Sequence, residues 1–220
     1  MEVLLLTAVA RAVSPWLDFE AILVGMESHG RHDLGSGADL SSVIGWFTAS
    51  YPLLVALDRH GDLATDLKNV KNARQSVPND GVGFGALKYL HPDETVRARM
   101  ATVAEPHFGF NYFGKVDPGA GSPVFTGFES LLPFGRSPQT RRPHALELNV
   151  LHRGPGLLFR WSFSRDTHDA NEVSILANSV IDELLAIADL LDSDSTFLTP
   201  SDFPLAGLDQ DELDDLLGDE

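Results

Sequence analysis

The sequence contains no cysteine, few basic residues and no long uninterrupted apolar run. Without cysteine, the chain can form neither disulfides nor thiolate metal sites, which suits a cytoplasmic protein. There are 16 Lys and Arg against 32 Asp and Glu, so the net charge is −16, and the longest basic run is Arg141-Arg142. This balance argues against nucleic acid or an anionic membrane as a partner. The apolar N-terminus carries Glu2 and Arg11 and is too short for a membrane span, so it predicts a core helix.

Hydrophobic spacing in the first quarter of the chain predicts a helix and then extended structure. Residues 2–13 have helical spacing, and we expect that helix to end before Pro15. Residues 19–27 form an apolar run short enough for a buried strand, and residues 28–41 are rich in Gly, Ser and Asp, as loops are. Residues 42–56 predict two extended pieces broken at Ser50-Tyr51-Pro52, because the residue before proline avoids the helical region.

The remaining elements follow from capping and turn residues. They are a helix capped by Asp62 that runs to about Val77, glycine turns with a short helix over 77–87, an aromatic strand over 108–116, a long loop over 117–143, a hairpin around Arg153-Gly154-Pro155-Gly156, a helix from Asp169 to about Leu191 and a short acidic helix near the C-terminus. Helices and strands interleave without a regular βαβ repeat. The sequence therefore predicts an α+β domain, a mixed β-sheet with packed helices.

The segment ESHGRH, residues 27–32, places four ionisable groups directly after an apolar strand. We expect Val24 and Met26 to shield Glu27 and so to tune its pKa for proton transfer. The alternative is that Glu27 pairs with Arg31 and only shapes the loop. No metal site is predicted, because the eight histidines show no HExxH pattern and His29 and His32 have no third ligand nearby in sequence.

Six segments occur in the order in which similar segments occur in the epimerization domains of nonribosomal peptide synthetases, which are relatives of condensation domains. They are VLLLTAVARAV (3–13), ESHGRH (27–32), VIGWFTASYP (43–52), PNDGVGFG (78–85), FNYFG (110–114) and LTPSDFPLAGLDQDELDDL (198–216). They resemble the family's DxLLxAxG, EGHGRE, TVGWFTxxYP, PxxGxGYG and FNYLG segments and the way these domains end. Condensation domains proper carry a GxFVNT-type segment where this chain has IGWFTASYP, so the resemblance is to epimerization domains.

The resemblance implies a fold similar to one lobe of chloramphenicol acetyltransferase, in which two lobes enclose a tunnel. The matched segments belong to the second lobe, so we expect residues 1–208 to form a C-terminal lobe and residues 209–220 an acidic tail. The family's first lobe carries HHxxxDG, and this sequence has no His-His pair. Because the chain begins with Met where the second lobe begins, we expect a stand-alone half or a split gene product.

The resemblance also implies roles for individual residues. Glu27 matches the family's catalytic glutamate, and Asn111 and Tyr112 match a pair that lines the tunnel near the substrate. Trp46 belongs to a segment that matches the one flooring the tunnel, with plain packing in the sheet as its alternative role. His29 and Arg31 match the centre of the glutamate's motif as substrate-binding candidates, with loop anchoring as their alternative role. Two departures occur in this motif, Ser28 in place of glycine and His32 in place of glutamate.

The resulting hypothesis is half of an amino-acid epimerase, with its status as an enzyme left open. The substrate would be an L-aminoacyl or peptidyl thioester on the phosphopantetheine arm of a carrier protein, and no cofactor would bind to the chain itself. The expected partners are a carrier protein or synthetase subunit and a separate N-terminal lobe. The alternative is a non-catalytic docking or remnant module that binds a carrier protein or synthetase.

Overall fold

A computed structural model describes residues 1–17, 21–32, 37, 39–40, 42–58, 62–115, 140–192, 198–203, 205–208 and 210–217. The helices are α1 (Glu2–Leu17), α2 (Leu63–Gln75), α3 (Val82–Gly85), α4 (Glu94–Ala101), α5 (Ala170–Asp192) and α6 (Gln210–Leu217). The strands are β1 (Ala21–Ser28), β2 (Ala49–Ala56), β3 (Phe108–Lys115), β4 (Leu146–Arg153) and β5 (Gly156–Phe163). Short 3-10 turns lie at Pro78–Gly81 and Pro200–Asp202, and a π turn at Ala86–Leu90. No helix in these ranges has both the length and the apolarity of a membrane crossing.

The five strands form one mixed sheet in the order β2-β1-β3-β4-β5. The central pairs β1–β3 and β3–β4 are parallel, and the outer pairs β1–β2 and β4–β5 are antiparallel. Because β1 and β3 run in the same direction, their C-terminal ends reach the same edge of the sheet. The α+β mixed sheet predicted from the sequence is therefore confirmed.

One face of the sheet packs against α1, α2 and α5 and forms the core. Alternate strand residues supply this face, as the two-residue period of a strand requires. They include Val24 and Met26 of β1, Phe110 of β3 and Leu148 of β4, all at most 1% exposed. We call this the core face and the opposite side the open face.

Both proline-based boundaries expected from the sequence are wrong. Helix α1 continues through Pro15 to Leu17. Pro15 removes one backbone donor from the helix, and the helix ends two residues later, at Leu17. Strand β2 is continuous through Ser50-Tyr51-Pro52, with Pro52 opposite Gly25. Proline is tolerated there because β2 is an edge strand, which has a neighbouring strand on one side only.

Most of the other predicted elements are confirmed. Asp62 caps α2 by accepting from the Thr65 N–H at 2.8 Å, and Asp169 likewise accepts from Asn171 N–H at 2.8 Å at the start of α5. The hairpin of β4 and β5 turns at 154–155. Helix α4 was not predicted, and its apolar and polar residues show almost no segregation between faces. Most of the long loop predicted over 117–143 lies outside the described residues. Its described part, residues 140–143, carries no regular structure.

Candidate functional site

A cleft of about 570 Å³ lies where β1 and β3 end. Its lining includes Glu27, His29, Trp46, Asn111 and Tyr112, five of the six site residues predicted from the sequence. Arg31 is not among the residues that line it. The carboxyl ends of parallel strands are a common place for ligand sites, because several loops converge there. We call this space the Glu27 cleft.

Glu27 and Asn111 are joined directly. Asn111 Nδ2 donates a hydrogen bond to Glu27 Oε2 at 2.7 Å. The parallel register pairs Met26 with Phe110, so the next residues on each strand, Glu27 and Asn111, both lie on the open face. The segments that contain Glu27 and Asn111 therefore converge on one cleft.

The expectation that Val24 and Met26 shield Glu27 is wrong. Both side chains are buried in the core face, whereas Glu27 is exposed on the open face. The reason is the alternation of side chains along a strand, which places residues 24 and 26 on one side and residue 27 on the other.

Arg31 fixes the loop that carries Trp46. Its guanidinium donates to the backbone carbonyls of Leu40, Val43 and Gly45 at 2.7, 2.8 and 3.2 Å and lies 4.4 Å from the centre of the Phe47 ring. These contacts agree with the loop-anchoring alternative. They hold the segment that brings Trp46, whose side chain is 89% exposed, to the cleft.

Glycine is required at position 30. Gly30 has a positive φ of 63°, and a Cβ there would lie 1.7 Å from the carbonyl oxygen of Phe47. An L-residue would therefore suffer both an unfavourable backbone conformation and a collision with the backbone. The backbone turn at Gly30, which lies close to Phe47, directs Arg31 towards the segment that carries Trp46. This gives a physical reason for the sequence His29-Gly30-Arg31 after the strand.

Ser28 and His32 contact the turn at Pro78–Gly81. Ser28 Oγ donates to the carbonyl oxygen of Asp80 at 2.8 Å. The His29 and His32 rings stack with centroids 4.4 Å apart, and His32 Nε2 lies 3.0 Å from Asp80 Oδ2. That distance suits an ion pair when His32 is protonated, although the ring nitrogen is not aligned for a hydrogen bond. The two departures from the family motif thus tie the loop after β1 to this turn.

Three charged residues of the cleft were missed by sequence reasoning. Arg74, at the end of α2, donates to Asp80 Oδ1 at 2.7 Å and to Glu2 Oε2 at 3.1 Å. All three line the Glu27 cleft. The hydrogen bond from Arg74 lowers the pKa of the Asp80 carboxyl. No spacing signal connects residues 2, 74 and 80, because folding alone brings them together.

Asp80→Asn is expected to weaken the fold in a pH-dependent way. Asparagine tolerates the positive φ of 48° at this position, so the main change is loss of the charge. A carboxyl whose pKa is lowered by folding contributes stability above its unfolded pKa, and this contribution is lost as the pH falls through the folded value. The wild-type advantage should be complete at neutral pH and shrink below about pH 4. Urea unfolding midpoints across this range test it, with Asp189→Asn, an exposed position on α5, as control. An advantage that does not change with pH would contradict the expectation.

The cleft combines groups that could move a proton and hold a carbonyl oxygen. Glu27 can accept or return a proton, and the amide of Asn111 can donate to an oxygen that gains negative charge. Tyr112 also lines the cleft, and its side chain packs in part against the core. Within the described ranges, no three His, Asp or Glu side chains lie close enough to hold a metal ion.

Comparisons with known proteins point to one family. The family model described as the condensation domain matches residues 1–203. Surfactin synthase subunit 1 from Bacillus subtilis (strain 168) is 34% identical over 99% of this chain, and gramicidin S synthase 1 from Brevibacillus brevis is 30% identical over 97%. The chain spans only 6% and 20% of these two relatives.

A solved structure gives the same result for the fold. The epimerization domain from the third module of tyrocidine synthetase B matches with a TM-score of 0.74 and 29% identity, over 86% of this chain and 42% of that chain. The mixed sheet and its helices thus match a single lobe of the two-lobed, chloramphenicol acetyltransferase-like fold, as the sequence motifs predicted. With the family model covering almost the whole sequence, the chain belongs to the condensation-domain family of nonribosomal peptide synthetases.

Proposed function

We propose that this chain supplies half of an epimerization site, in which Glu27 is an acid–base group and Asn111 stabilises the enolate. The observation that carries the proposal is the 2.7 Å hydrogen bond between Asn111 Nδ2 and Glu27 Oε2 inside the cleft. The likeness to an epimerization domain at 29% identity supports the choice of reaction.

The chemistry follows from this pair. Glu27 takes the proton from the α-carbon, and the electrons of the C–H bond move to the thioester carbonyl oxygen to form an enolate. Asn111 donates an N–H to that oxygen, which lowers the energy of the charge that develops there. A second acid returns a proton to the opposite face of the α-carbon, which inverts its configuration. On our proposal this second group comes from a separate N-terminal lobe.

The substrate in this proposal is an L-aminoacyl or peptidyl thioester carried on the phosphopantetheine arm of a carrier protein. The partners are that carrier protein or a synthetase subunit. The chain adds no cofactor of its own. Trp46 and Tyr112 would form walls for the acyl group, and His29 would stand at the entrance of the cleft.

We expect the purified chain alone to show no epimerization, because it supplies one proton-transfer group of the two. The experiment compares the chain alone, an HHxxxDG lobe from a related synthetase alone, and the two mixed. Each is incubated in deuterated water with an aminoacyl carrier protein, and deuterium at the α-carbon is measured by mass spectrometry. L-to-D conversion should appear only in the mixture, whereas deuterium uptake with retained L configuration requires only the single proton-transfer group that the chain supplies.

The same experiment separates the two functions considered from the sequence. Conversion by the chain alone would contradict the half-site proposal. A mixture that associates with the carrier protein but never exchanges the α-hydrogen would favour the non-catalytic docking module instead.

A further inference from the structure

A second cavity, of about 460 Å³, lies at the opposite end of the sheet from the end of β1. It is bounded by the residues that precede β3 and β4 and by those that follow β5. Among the described residues, its polar lining comprises Arg141, Arg142, His107, His144, Ser164 and Thr167, with Glu105 as the one carboxylate in that part of the chain. We call it the Arg141–Arg142 cavity.

The chemistry of this cavity suits an anion. Two guanidiniums present planar sets of donors that match phosphate oxygens, and the hydroxyls of Ser164 and Thr167 can add hydrogen bonds. Lys88 forms an ion pair with Glu105, so the negative charge of this carboxylate is partly neutralised. The cavity is therefore locally basic in a chain whose net charge is −16. It also contains the longest basic run of the sequence.

His144 connects this cavity to the open face of the sheet. Its Nδ1 lies 2.8 Å from the carbonyl oxygen of Pro106, which can only accept, so Nδ1 carries the hydrogen. The ring fills the space above Gly25 and Gly109, where a Cβ on either glycine would lie 2.4 Å from it. These glycines face each other in the β1–β3 pair, each two residues before Glu27 or Asn111.

A third cavity, of about 330 Å³, has lining residues in common with each of the other two. It shares Glu105, Pro106, Pro143 and His144 with the Arg141–Arg142 cavity, and it shares Glu27 with the Glu27 cleft. Lining residues are thus continuous from the two arginines to the proposed acid–base group.

The span of this path matches an extended phosphopantetheine arm. From His107 to Asn111 the chain advances four residues along β3, or roughly 13 Å at the rise of a strand. Phosphorus and sulfur in the arm are separated by about 13 covalent bonds, a little over four residues of extended chain, or roughly 15 Å. A phosphate at one end of the path would place the thioester at the other.

We propose that the Arg141–Arg142 cavity binds the phosphate group of a phosphopantetheine arm. The identity of the arm rests on the proposed function, whereas the preference for a phosphate rests on the cavity itself. Arg141 and Arg142 hold the phosphate oxygens, and His144 forms the wall past which the arm extends towards Glu27.

The test measures binding to the purified full chain, which requires neither a first lobe nor catalysis. Isothermal titration compares phosphopantetheine, pantetheine and inorganic phosphate. Phosphopantetheine should bind at least about tenfold more tightly than pantetheine, and Arg141→Gln or Arg142→Gln should each weaken it about tenfold or more. Arg99→Gln, at an exposed position on α4, should leave the affinity unchanged. Chemical shifts of the Ser164 and Thr167 amides should move on binding in the wild type.

Other results would overturn the assignment. They are equal affinity for pantetheine and phosphopantetheine, affinity that survives both arginine substitutions in folded variants, no binding of phosphopantetheine, or binding of inorganic phosphate alone. Failure here is distinct from failure of the epimerization proposal, because Glu27→Gln should leave phosphate binding intact while removing exchange at the α-carbon.

Discussion

Replacement of Glu27 by glutamine is expected to abolish α-hydrogen exchange in the chain mixed with an HHxxxDG lobe. Glutamine is nearly isosteric and keeps an oxygen that can accept from Asn111 Nδ2, so the cleft should retain its shape. It cannot take up a proton at neutral pH. A positioned acid–base group contributes a factor of about 10²–10⁴ in rate, and we expect a loss of that size.

The control for this substitution is Glu94→Gln, which makes the same chemical change at an exposed position on α4. Asn111→Ala should also slow exchange, by about 10²–10³ if its amide stabilises the enolate. Thermal unfolding of each variant checks that the lobe remains folded. A Glu27→Gln mixture that exchanges deuterium as fast as the wild type would show that this carboxylate does not transfer the proton.

Asp66→Ala is expected to produce the largest loss of stability among the charged residues. Asp66, on α2, is 1% exposed, accepts from Arg11 of α1, and also accepts from the Asp58 N–H at 3.1 Å. Arg11 Nε in turn donates to Glu183 of α5 at 2.6 Å. Burial raises the pKa of Asp66 against the opposing effect of its hydrogen bonds. Removal of Asp66 breaks the pair with Arg11 and the bond from the Asp58 N–H, but Arg11 keeps Glu183 and is partly exposed. We therefore expect a loss of about 2–3 kcal/mol, below the roughly 3–5 kcal/mol typical of a fully buried charge pair.

The measurement is the free energy of unfolding in urea at neutral pH, with Asp189→Ala, at an exposed position on α5, as the matched control. The double variant Arg11→Met with Asp66→Leu should lose less stability than Asp66→Ala, since it leaves no partly buried guanidinium without Asp66. If Asp66→Ala costs no more than the control, the Arg11–Asp66 pair does not hold the three helices together.

Local sequence features predicted most elements of this fold because their causes are local. The Asp62 and Asp169 caps and the glycine turn of the β4–β5 hairpin act within a few residues. Pro52 misled the prediction because its tolerance depends on β2 being an edge strand, which is a property of the whole sheet.

In the candidate site, too, features with local causes could be predicted from the sequence, and features that depend on tertiary packing could not. Val24 and Met26 point into the core, so Glu27, the next residue along the strand, points to the opposite face. Strand alternation alone could have predicted the exposure of Glu27. The grouping of Glu2, Arg74 and Asp80 depends on how α1, α2 and the turn at 78–81 pack together. Likewise, Arg141-Arg142 is visible in the sequence, whereas its cavity depends on the neighbouring ends of β3, β4 and β5.

The most direct test of the central claim is a crystal structure of the chain, joined by an HHxxxDG lobe, with a stable aminoacyl-pantetheine amide. The α-carbon should contact the carboxylate of Glu27, and the carbonyl oxygen should lie within hydrogen-bond reach of Asn111 Nδ2. The proposal would be contradicted if the α-carbon were bound outside the Glu27 cleft, with the Glu27–Asn111 hydrogen bond intact and no part of the ligand in contact with the Glu27 carboxylate.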